Sequence, residues 1–343
     1  MIRHVTGDIL EAPAEAIVNT VNTVGVMGKG IALQFRQAFP ENYRLYRAAC
    51  DRGEVRPGHM FVVQTGLFSN PRYIVNFPTK RHWKDKSRIE DIEAGLQDLV
   101  KVIRRERIRS VAIPPLGCGN GGLRWSEVRP RIEKALEDVP ETEVLLYEPT
   151  GAPDPDQMAV RTKPPKMTAG RAALLAILER YAVPGYRITM LEIQKLLYFL
   201  QIAGEPLKLE FAKAKYGPYA ETVHHVLQRL EGHFIRGYGD RSREATILLL
   251  PEAQTAARAY LERHPETSER IERVTRLIEG FETPYGLELL SSIHWLNGED
   301  GQVAVNASAV QEGLRNWTER KGKLFQPYHV EVAWEQLRDQ GWI

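Results

Sequence analysis

The sequence predicts an α/β layered domain followed by a mainly α-helical second domain. At 343 residues the chain is too long for one ordinary domain, so two domains are expected. Strand-like and helix-like segments alternate over residues 1–150, which is typical of an α/β architecture. Residues 151–168 are rich in proline, and over residues 169–343 apolar residues recur mainly at helical spacing.

The first domain is predicted to contain strands wherever a short apolar run is bounded by turn residues. These runs lie at residues 16–22, 59–65, 73–77, 110–114 and 144–147. Helices are predicted between them, and the first is expected to stop at Pro40. Ser87 and Glu90 form the S-x-x-E pattern of a capping box, which marks a helix start. Ser126 is expected to cap a further helix, with Pro130 in its tolerated first turn.

The second domain follows a segment with the composition of a linker. Residues 151–168 contain several prolines and few apolar residues. Two amphipathic helical stretches come next, and the run at 246–250 is the best of few strand-like segments. The apolar positions of the stretches are Leu174, Leu175, Ile177, Leu178 and Tyr181, then Leu191, Ile193, Leu196, Leu197 and Leu200. We therefore expect a mostly α-helical domain over residues 169–343.

Composition indicates an ordinary globular protein of a reducing compartment. The hydrophobic share is 43%, the charged share is 26%, and the net charge of +2 provides no general attraction for nucleic acid. Cys50 and Cys118 fit neither a metal pattern nor a disulfide framework, which favours the cytoplasm. The sequence starts without the apolar run of a signal peptide, and no apolar stretch is long enough to span a bilayer. No metal and no cofactor are expected, since His224, His225 and His233 lack a cysteine or carboxylate to complete a ligand set.

Two glycine-rich loops, at residues 22–32 and 114–123, each follow a strand and precede a helix. Glycine lets backbone N–H groups approach an anion, and a helix N-terminus adds a favourable dipole. Two such loops in one domain can enclose a diphosphate, although each is also compatible with a plain tight turn. A Walker loop is excluded because Lys29 is followed by Gly30 rather than by serine or threonine. A Rossmann fingerprint is disfavoured because only one predicted strand follows the second loop.

Several motifs together resemble the macrodomain family. In chain order they are Thr6-Gly7-Asp8-Ile9, Ala16-Ile17-Val18-Asn19, Asn22, Gly28-Lys29-Gly30-Ile31-Ala32 and Pro115-Leu116-Gly117-Cys118-Gly119. They occur in the family's order and cover about residues 1–150. The resemblance implies a mixed central sheet flanked by helices on both faces, and a site for ADP-ribose.

The resemblance also implies roles for individual residues. Asp8 is expected to hold the adenine amino group with Ile9 beside it, and Tyr147 is expected to pack near the adenosine. Asn22 is expected to face the distal ribose. The alternatives from the residues alone are that Asp8 is a turn residue and that Tyr147 is a core aromatic. The loop residues expected around the pyrophosphate and distal ribose are Gly28, Lys29, Gly30, Ile31, Gly117, Cys118, Gly119, Asn120, Gly121 and Leu123.

A narrower resemblance lies in residues 76–80, with the sequence NFPTK. A lysine at this point is similar to the DarG-type macrodomains that remove ADP-ribose from DNA, and to a vertebrate relative that acts on modified carboxylates. In that subgroup the lysine is catalytic, which implies the same role for Lys80. A solvated surface lysine is the alternative. The vertebrate relative has an aspartate where this chain has Gly121, so a lysine–aspartate mechanism is doubtful here.

The sequence leaves two chemistries open for Lys80. A neutral amine can attack the anomeric carbon or trap the opened sugar as a Schiff base, whereas an ammonium can stabilise the leaving base. The residues that follow, Arg81, His82, Trp83 and Lys84, combine positive charge with rings. That composition suits contacts with single-stranded DNA, and it also suits a plain solvated surface.

The second domain has a signature of its own. Residues 192–200 (EIQKLLYFL) and 215–219 (KYGPY) resemble a helical domain of bacterial antitoxins, in which KLLYF and YGP recur at this separation. By analogy with DarG, this domain is expected to bind and neutralise a DarT-type ADP-ribosyltransferase toxin. None of its residues indicates catalysis.

These resemblances together imply a toxin–antitoxin protein with two activities. The macrodomain is expected to remove ADP-ribose from thymidine bases of single-stranded DNA, with free ADP-ribose as the product. One rival hypothesis is a protein de-ADP-ribosylase that acts on Asp or Glu esters. The other is a non-catalytic ADP-ribose-binding module.

Overall fold

A computed structural model describes residues 1–66, 69–149, 159–181, 186, 188–238, 246–298 and 306–343. The chain forms two compact units, Met1–Lys163 and Pro164–Ile343. In the part of the predicted linker that is described, the backbone N–H of Arg161 donates to the carbonyl of Gln37 at 2.9 Å. Its guanidinium lies 5.4 Å from the centre of the Phe39 ring, so these residues pack on the first unit. The linker boundaries 151 and 168 stay a prediction.

The first unit is built on a six-stranded sheet. Its strands are β1 (Ile2–Val5), β2 (Ala16–Asn22), β3 (Phe61–Gln64), β4 (Tyr73–Lys80), β5 (Ser110–Ile113) and β6 (Glu143–Tyr147). Their order across the sheet is β1-β6-β5-β2-β4-β3. The first five of these neighbours are parallel, and β3 at the edge is antiparallel to β4.

Helices cover both faces of this sheet. They are α1 (Gly30–Ala38), α2 (Pro40–Asp51), α3 (Ile89–Glu106) and α4 (Trp125–Leu136). Alternate residues of β2 enter different apolar clusters, with Val18 on the side of α3 and α4 and Ile17 on the side of α1. Strands buried on both faces become nearly continuous apolar runs, as residues 16–22 are. The predicted mixed sheet with helices on both faces is confirmed.

Element boundaries differ from the prediction at several points. β1 was not predicted because it is an edge strand with only half-buried apolar residues. β4 extends through Pro78 to Lys80, so Lys80 ends the strand rather than following it. α2 was also missed, because Pro40 does not end the helical region but begins a second helix as its first residue, where no N–H is needed.

Both predicted helix caps are wrong. α3 begins at Ile89 with Arg88 at its N-cap, so Ser87 precedes the cap, and its backbone N–H donates to Gly121 at 2.9 Å. α4 begins at Trp125 with Arg124 at its N-cap, which places Ser126 inside the helix. Pro130 therefore lies in the second turn and not in the first. The N-cap of α3 lies one residue after the predicted Ser87, and the N-cap of α4 lies two residues before the predicted Ser126.

The second unit is mainly helical, as predicted. Its helices are α5 (Ala169–Tyr181), α6 (Met190–Ile202), α7 (Val223–Leu230), α8 (Pro251–Leu261), α9 (Pro265–Ile278), α10 (Pro284–Gly298), α11 (Ala307–Trp317), α12 (Glu319–Leu324) and α13 (Pro327–Asp339). Its short strands are β7 (Ile188–Thr189), β8 (Ala212–Ala214), β9 (Gly217–Tyr219), β10 (Ile235–Arg236) and β11 (Thr246–Leu249). In the described parts of the chain, no helix combines the length and apolarity that a membrane crossing requires.

Helix α6 is buried on nearly all sides, so the expectation of an amphipathic helix is wrong. Its polar residues Glu192 and Lys195 are 0% and 2% exposed. The Glu192 carboxylate accepts hydrogen bonds from the hydroxyls of Tyr181 and Tyr186, both at 2.6 Å. It also accepts from the N–H of Thr189 at 2.7 Å, which completes a capping box. The polar positions of α6 satisfy internal partners instead of facing water.

The KLLYF and YGP segments meet inside the second unit. The Lys195 ammonium of KLLYF donates to the carbonyl of Pro218 in YGP at 2.6 Å. Gly217 has a φ of +93°, and a Cβ there would lie 3.0 Å from Ser292 Oγ and 3.1 Å from Lys195 Nζ. Glycine is required by both the backbone conformation and the close approach. The two motifs are therefore in direct contact in this chain.

Replacing Gly95 by alanine is expected to destabilise the first unit. A Cβ on this α3 residue would lie 2.3 Å from the ring of Phe77, which is fully buried. Alanine stabilises a helix interior by about 1 kcal/mol relative to glycine, whereas overpacking a filled core costs about 1–3 kcal/mol. Urea unfolding of the full chain should therefore show a lower midpoint. The exposed Gln97→Ala on the same helix is the matched control, and equal midpoints for the two variants would contradict the packing argument.

Candidate active site

The first glycine-rich loop is fixed by the side chain at the end of β2. The Asn22 amide oxygen accepts from the N–H groups of Val24 and Val26 at 3.0 and 3.3 Å, and its NH2 donates to the Val26 carbonyl at 2.6 Å. The Tyr46 hydroxyl donates to the Asn22 carbonyl at 2.6 Å. Asn22 is 6% exposed. Its side chain is thus engaged in shaping the loop, a role that the sequence did not indicate.

Helix α1 begins directly after this loop, with Gly30 as its first residue. Its N-cap residue, Lys29, is extended and makes no side-chain hydrogen bond to the first turn. The first N–H groups of a helix have no partner within the helix, and together with the helix dipole they favour a bound anion. The first turn of α1 is therefore suited to a bound anion, and the Lys29 side chain does not cap it.

The second glycine-rich loop is held by its own backbone. Cys118 N–H donates to the Pro115 carbonyl, and Leu123 N–H donates to the Gly117 carbonyl, both at 3.1 Å. The Cys118 thiol donates to the Leu116 carbonyl at 3.5 Å, and burial raises the pKa of this thiol to about 11. Cys118 is consequently a neutral thiol at physiological pH rather than a nucleophile.

Two glycines of this loop differ in what surrounds them. A Cβ on Gly119 would meet open space, whereas a Cβ on Gly121 would lie 2.2 Å from the Gly117 carbonyl oxygen and 2.3 Å from Ser87 Oγ. Gly119 therefore borders the open side of the loop, and Gly121 is confined by protein atoms. An aspartate side chain has no room at position 121 in this backbone.

The two loops meet at Lys80. The ammonium of Lys80, at the end of β4, donates to the backbone carbonyl of Asn120 in the second loop. From the first loop, Gly30 lies so close that a Cβ on it would be 3.1 Å from Asn120 Nδ2. The structure thus brings Gly30, Lys80 and Asn120 together, although they are far apart in sequence.

Partial burial lowers the pKa of Lys80 below its usual value, and the nearby positive charge of Lys29 lowers it further. The carboxylate of Asp85 acts in the opposite direction. The neutral amine, which is the nucleophilic form, is therefore more abundant at Lys80 than in a free lysine at the same pH.

Asp8, Ile9 and Tyr147 lie together at the same edge of the sheet. Asp8 precedes a short 3-10 turn and accepts from the Leu10 N–H at 2.9 Å. Burial raises the pKa of Asp8. Burial also raises the pKa of Tyr147, and the Asp8 charge adds to this, which shows that the two side chains are close. Ile9 and Tyr147 belong to one apolar cluster, against which Ile31 packs. Asp8 is thus a turn residue, yet it also lies beside the aromatic ring that its predicted role requires.

The four residues after Lys80 differ in their contacts and in their exposure to solvent. The Arg81 guanidinium forms a bidentate ion pair with Asp91 of α3, at 2.5 and 2.9 Å, and is thereby tied to the helix. The His82 and Trp83 rings lie 5.3 Å apart, and the Lys84 ammonium lies 4.9 Å from the centre of the Trp83 ring. Trp83 is 40% exposed, so it is the ring here that a ligand can reach.

Sequence reasoning missed three residues that organise this region. Asp91 fixes Arg81, Ser87 borders Gly121, and the Thr23 hydroxyl donates to the Arg81 carbonyl at 2.6 Å. The sequence does not indicate these contacts, because each of them depends on how separate elements pack in the fold. The described residues contain no group of three or more metal-ligating side chains.

Comparison with known proteins assigns the family. The family described as "Macro domain" matches residues 18–132. A protein of Thermus aquaticus named "DNA ADP-ribosyl glycohydrolase" is 49% identical over 341 residues, covering 99% of this chain and 94% of its own length. The chain belongs to the DarG family of DNA ADP-ribosyl glycohydrolases. The predicted family and the predicted enzyme class, a hydrolase, are confirmed.

A fusion protein and a solved structure each match less than half of this DarG-family chain. A fusion protein of Thermosipho africanus, named "DNA ADP-ribosyl transferase-DNA ADP-ribosyl glycohydrolase fusion protein", is 36% identical over 167 residues, which is 44% of this chain and 43% of the fusion. The solved structure titled "Macrodomain of Thermus aquaticus DarG" is 60% identical, with a TM-score of 0.43. It covers 43% of this chain and 99% of its own.

Replacing Lys29 by glutamine is expected to raise the pKa of Lys80, because a neighbouring positive charge is removed. Asp85→Asn should lower that pKa, because a neighbouring negative charge is removed. The pH dependence of acetylation at Lys80, followed by mass spectrometry, measures both shifts. Lys86→Gln is the matched control, since Lys86 is not among the groups that shift Lys80. Shifts in the reverse order would show that the two charges do not act on Lys80.

Proposed function

We propose that the first unit cleaves the N-glycosidic bond between ADP-ribose and thymidine in single-stranded DNA, and that the second unit neutralises a DarT-type toxin. The observation that carries the proposal is the position of Lys80, which lies against the second glycine-rich loop, beside the first. Family membership supports the enzyme class, and the Thermosipho fusion supports a functional link to an ADP-ribosyltransferase. We further propose that both activities operate in the cytoplasm.

In this proposal the ligand lies along the edge of the sheet where the parallel strands end. The adenosine would lie between Asp8 and Tyr147, which are close together. The pyrophosphate would be held by the first turn of α1 and by the open side of the second loop at Gly119. Lys80 would then reach the distal ribose, because it lies where the two loops meet.

The hydrolysis can be written for Lys80 as a neutral amine. Its nitrogen attacks the anomeric carbon as the bond from that carbon to the base nitrogen breaks. The proton that the new secondary ammonium loses passes to the base nitrogen, so the base leaves neutral and the adduct is a neutral secondary amine. The resulting sugar–lysine adduct is then cleaved by water, which supplies the hydroxyl of free ADP-ribose and restores the amine. The lowered pKa of Lys80 favours this form. The contact between Lys80 and Asn120 orients the amine before the substrate arrives.

Trp83 and Lys84 would contact the DNA strand next to the modified base. An exposed ring beside a cation suits base stacking and a phosphate contact. Arg81 and His82 would also contact the DNA. Because Arg81 is paired with Asp91, only the exposed part of its guanidinium can reach a DNA strand.

Replacing Lys80 by alanine is expected to reduce the release of ADP-ribose from a modified oligonucleotide by at least about 100-fold, because a nucleophile or a charge acting in the transition state is lost. Affinity for ADP-ribose should change little, since the proposed loop contacts remain. Single-turnover hydrolysis and calorimetry measure the two quantities. Lys86→Ala is the matched control. An alanine variant at position 80 that is as active as wild type would overturn the assignment.

The arginine variant separates the two chemistries. Lys80→Arg keeps the positive charge but cannot supply a neutral amine. If Lys80 is the nucleophile, this variant should be as inactive as the alanine variant, whereas substantial turnover would show an electrostatic role. A peptide carrying ADP-ribose on a glutamate ester is assayed in parallel. Release from the ester alone would support the rival de-ADP-ribosylase, and release from neither substrate would support a binding module.

Replacing Gly119 by leucine is expected to weaken ADP-ribose binding by at least about 100-fold with little change in stability. The new side chain would fill the open space beside the loop, where backbone must approach phosphate. Gly121→Ala is the contrasting variant, because its Cβ collides with protein atoms and should lower the unfolding temperature. Calorimetric titration and thermal unfolding distinguish them. Unchanged affinity in Gly119→Leu would place the ligand elsewhere.

A further inference from the structure

Lys80 lies at an irregular end of its strand. The pairing of β2 with β4 is regular up to Val21 with Pro78. The next pair is Asn22 with Lys80, so Thr79 is an extra residue in this register. Such a bulge changes the direction in which the neighbouring side chain points, and bulges are frequent beside active sites. Lys80 is also the last residue of β4, so contacts beyond the strand are needed to fix its amine.

The residue after Lys80 is held by the first glycine-rich loop. The Thr23 hydroxyl donates to the backbone carbonyl of Arg81 at 2.6 Å. Thr23 has a fixed place itself, because the side chain of Asn22 accepts from the N–H of Val24 at 3.0 Å and closes a turn around it. The hydroxyl therefore ties the chain beside Lys80 to a loop segment of defined shape.

The side chain of the same residue is held by helix α3. The Arg81 guanidinium donates to both carboxylate oxygens of Asp91, at 2.5 and 2.9 Å. Asp91 is 8% exposed and lies in the first turn of α3. Residue 81 is thus attached through its backbone to the first loop and through its side chain to a helix. These two attachments restrict Arg81, and Lys80 is its direct neighbour in the chain.

The amine of Lys80 reaches the second loop, where it donates to the Asn120 carbonyl. A lysine side chain is a flexible four-carbon stem, so the position of its amine depends on where its backbone is held. A displacement of about 1 Å in a catalytic group can reduce the rate of a reaction by about 100-fold. The hydrogen bond from Thr23 to Arg81 is therefore placed to affect the reaction through Lys80.

We propose that Thr23 is a positioning residue for the hydrolysis, and that its hydroxyl holds the Arg81 carbonyl so that the Lys80 amine is directed at the distal ribose. Asp91 supports the same arrangement through the Arg81 side chain. This role rests on the proposed function of Lys80. Because Thr23 belongs to the loop that would hold the pyrophosphate, it connects the binding of ADP-ribose to the position of the amine.

A direct contact between Thr23 and DNA is the alternative, and the geometry disfavours it. The hydroxyl has one hydrogen to donate, and the Arg81 carbonyl accepts it. Thr23 is half-buried, whereas the next residue, Val24, is exposed. The two roles also affect different quantities. A positioning residue acts on the rate at saturating substrate, whereas a contact with DNA acts on KM.

The test compares two substitutions of Thr23 in the full-length protein. Thr23→Val removes the hydroxyl and keeps the branched shape, whereas Thr23→Ser keeps the hydroxyl. Release of ADP-ribose from a modified oligonucleotide is measured in single turnover with the protein in saturating excess. We expect Thr23→Val to be about 10- to 100-fold slower than wild type, and Thr23→Ser to be within about three-fold of it. Affinity for ADP-ribose, measured by calorimetry, should change by less than about two-fold in both.

Thr142→Val is the matched control. The Thr142 hydroxyl also donates to a backbone carbonyl, that of Ile108 at 3.0 Å, but it lies at the opposite edge of the sheet, just before β6 begins. Thermal unfolding should show a loss of stability in this variant, while its rate of hydrolysis stays at the wild-type value. Asp91→Asn, which weakens the attachment of Arg81 to α3, should be slower than wild type by a smaller factor than Thr23→Val.

The pH dependence of the rate separates positioning from a loss of stability. Burial lowers the pKa of Lys80, and the charges of Lys29 and Asp85 that also act on it are the same in every variant at position 23. An amine that is no longer held against the second loop is more exposed to water, so its pKa should rise. The pH at which the rate responds to the protonation of Lys80 should therefore move upward in Thr23→Val and stay unchanged in Thr142→Val.

The outcomes distinguish this role from the proposed function. If Lys80→Ala is inactive and Thr23→Val hydrolyses as fast as wild type, the positioning role is overturned while the proposed function survives. If Lys80→Ala is as active as wild type, the proposed function fails and the positioning role fails with it. A Thr23→Val variant that changes KM alone would show a DNA contact, and a Thr23→Ser variant as slow as Thr23→Val would show that the hydroxyl is not the cause. Either result overturns the proposal.

Discussion

The parallel pairing of five neighbouring strands determines where the first unit can act. Because β1, β6, β5, β2 and β4 run in the same direction, their carboxyl ends share one edge of the sheet. Both glycine-rich loops begin at that edge, and Lys80 is itself the last residue of β4. The direction of the strands therefore determines where the candidate active site lies, and the side chains at that edge determine its chemistry.

The same edge explains why the loops depend on one another. The second loop supplies the carbonyl that receives Lys80, and the N–H of Ser87 reaches the loop from the start of α3. The conformation of the first loop is fixed by Asn22, whose side-chain amide makes three hydrogen bonds to the backbone of that loop. The two loops thus meet at the same residues, and a change in either loop alters the surroundings of Lys80.

Much of the architecture could be predicted from the sequence, because fully buried strands leave continuous apolar runs. Residues 16–22 match β2 at both ends for this reason. β1 could not be found, since an edge strand leaves little apolar signal. The role proposed for Lys80 came from family resemblance, while its contact with Asn120 depends on tertiary packing. The burial of Lys195 could not be predicted from the sequence either, because a polar residue within a helical pattern normally marks the solvent-exposed face.

The confinement of Gly121 bears on how such enzymes can diverge. A side chain at this position meets a backbone carbonyl, which cannot rotate away, as well as the Ser87 hydroxyl. Replacing Gly121 by aspartate, which needs only one codon change, would therefore distort the second loop. An aspartate at position 121 therefore requires accompanying changes in the backbone at Gly117 and in the side chain at position 87, so this position cannot be varied alone.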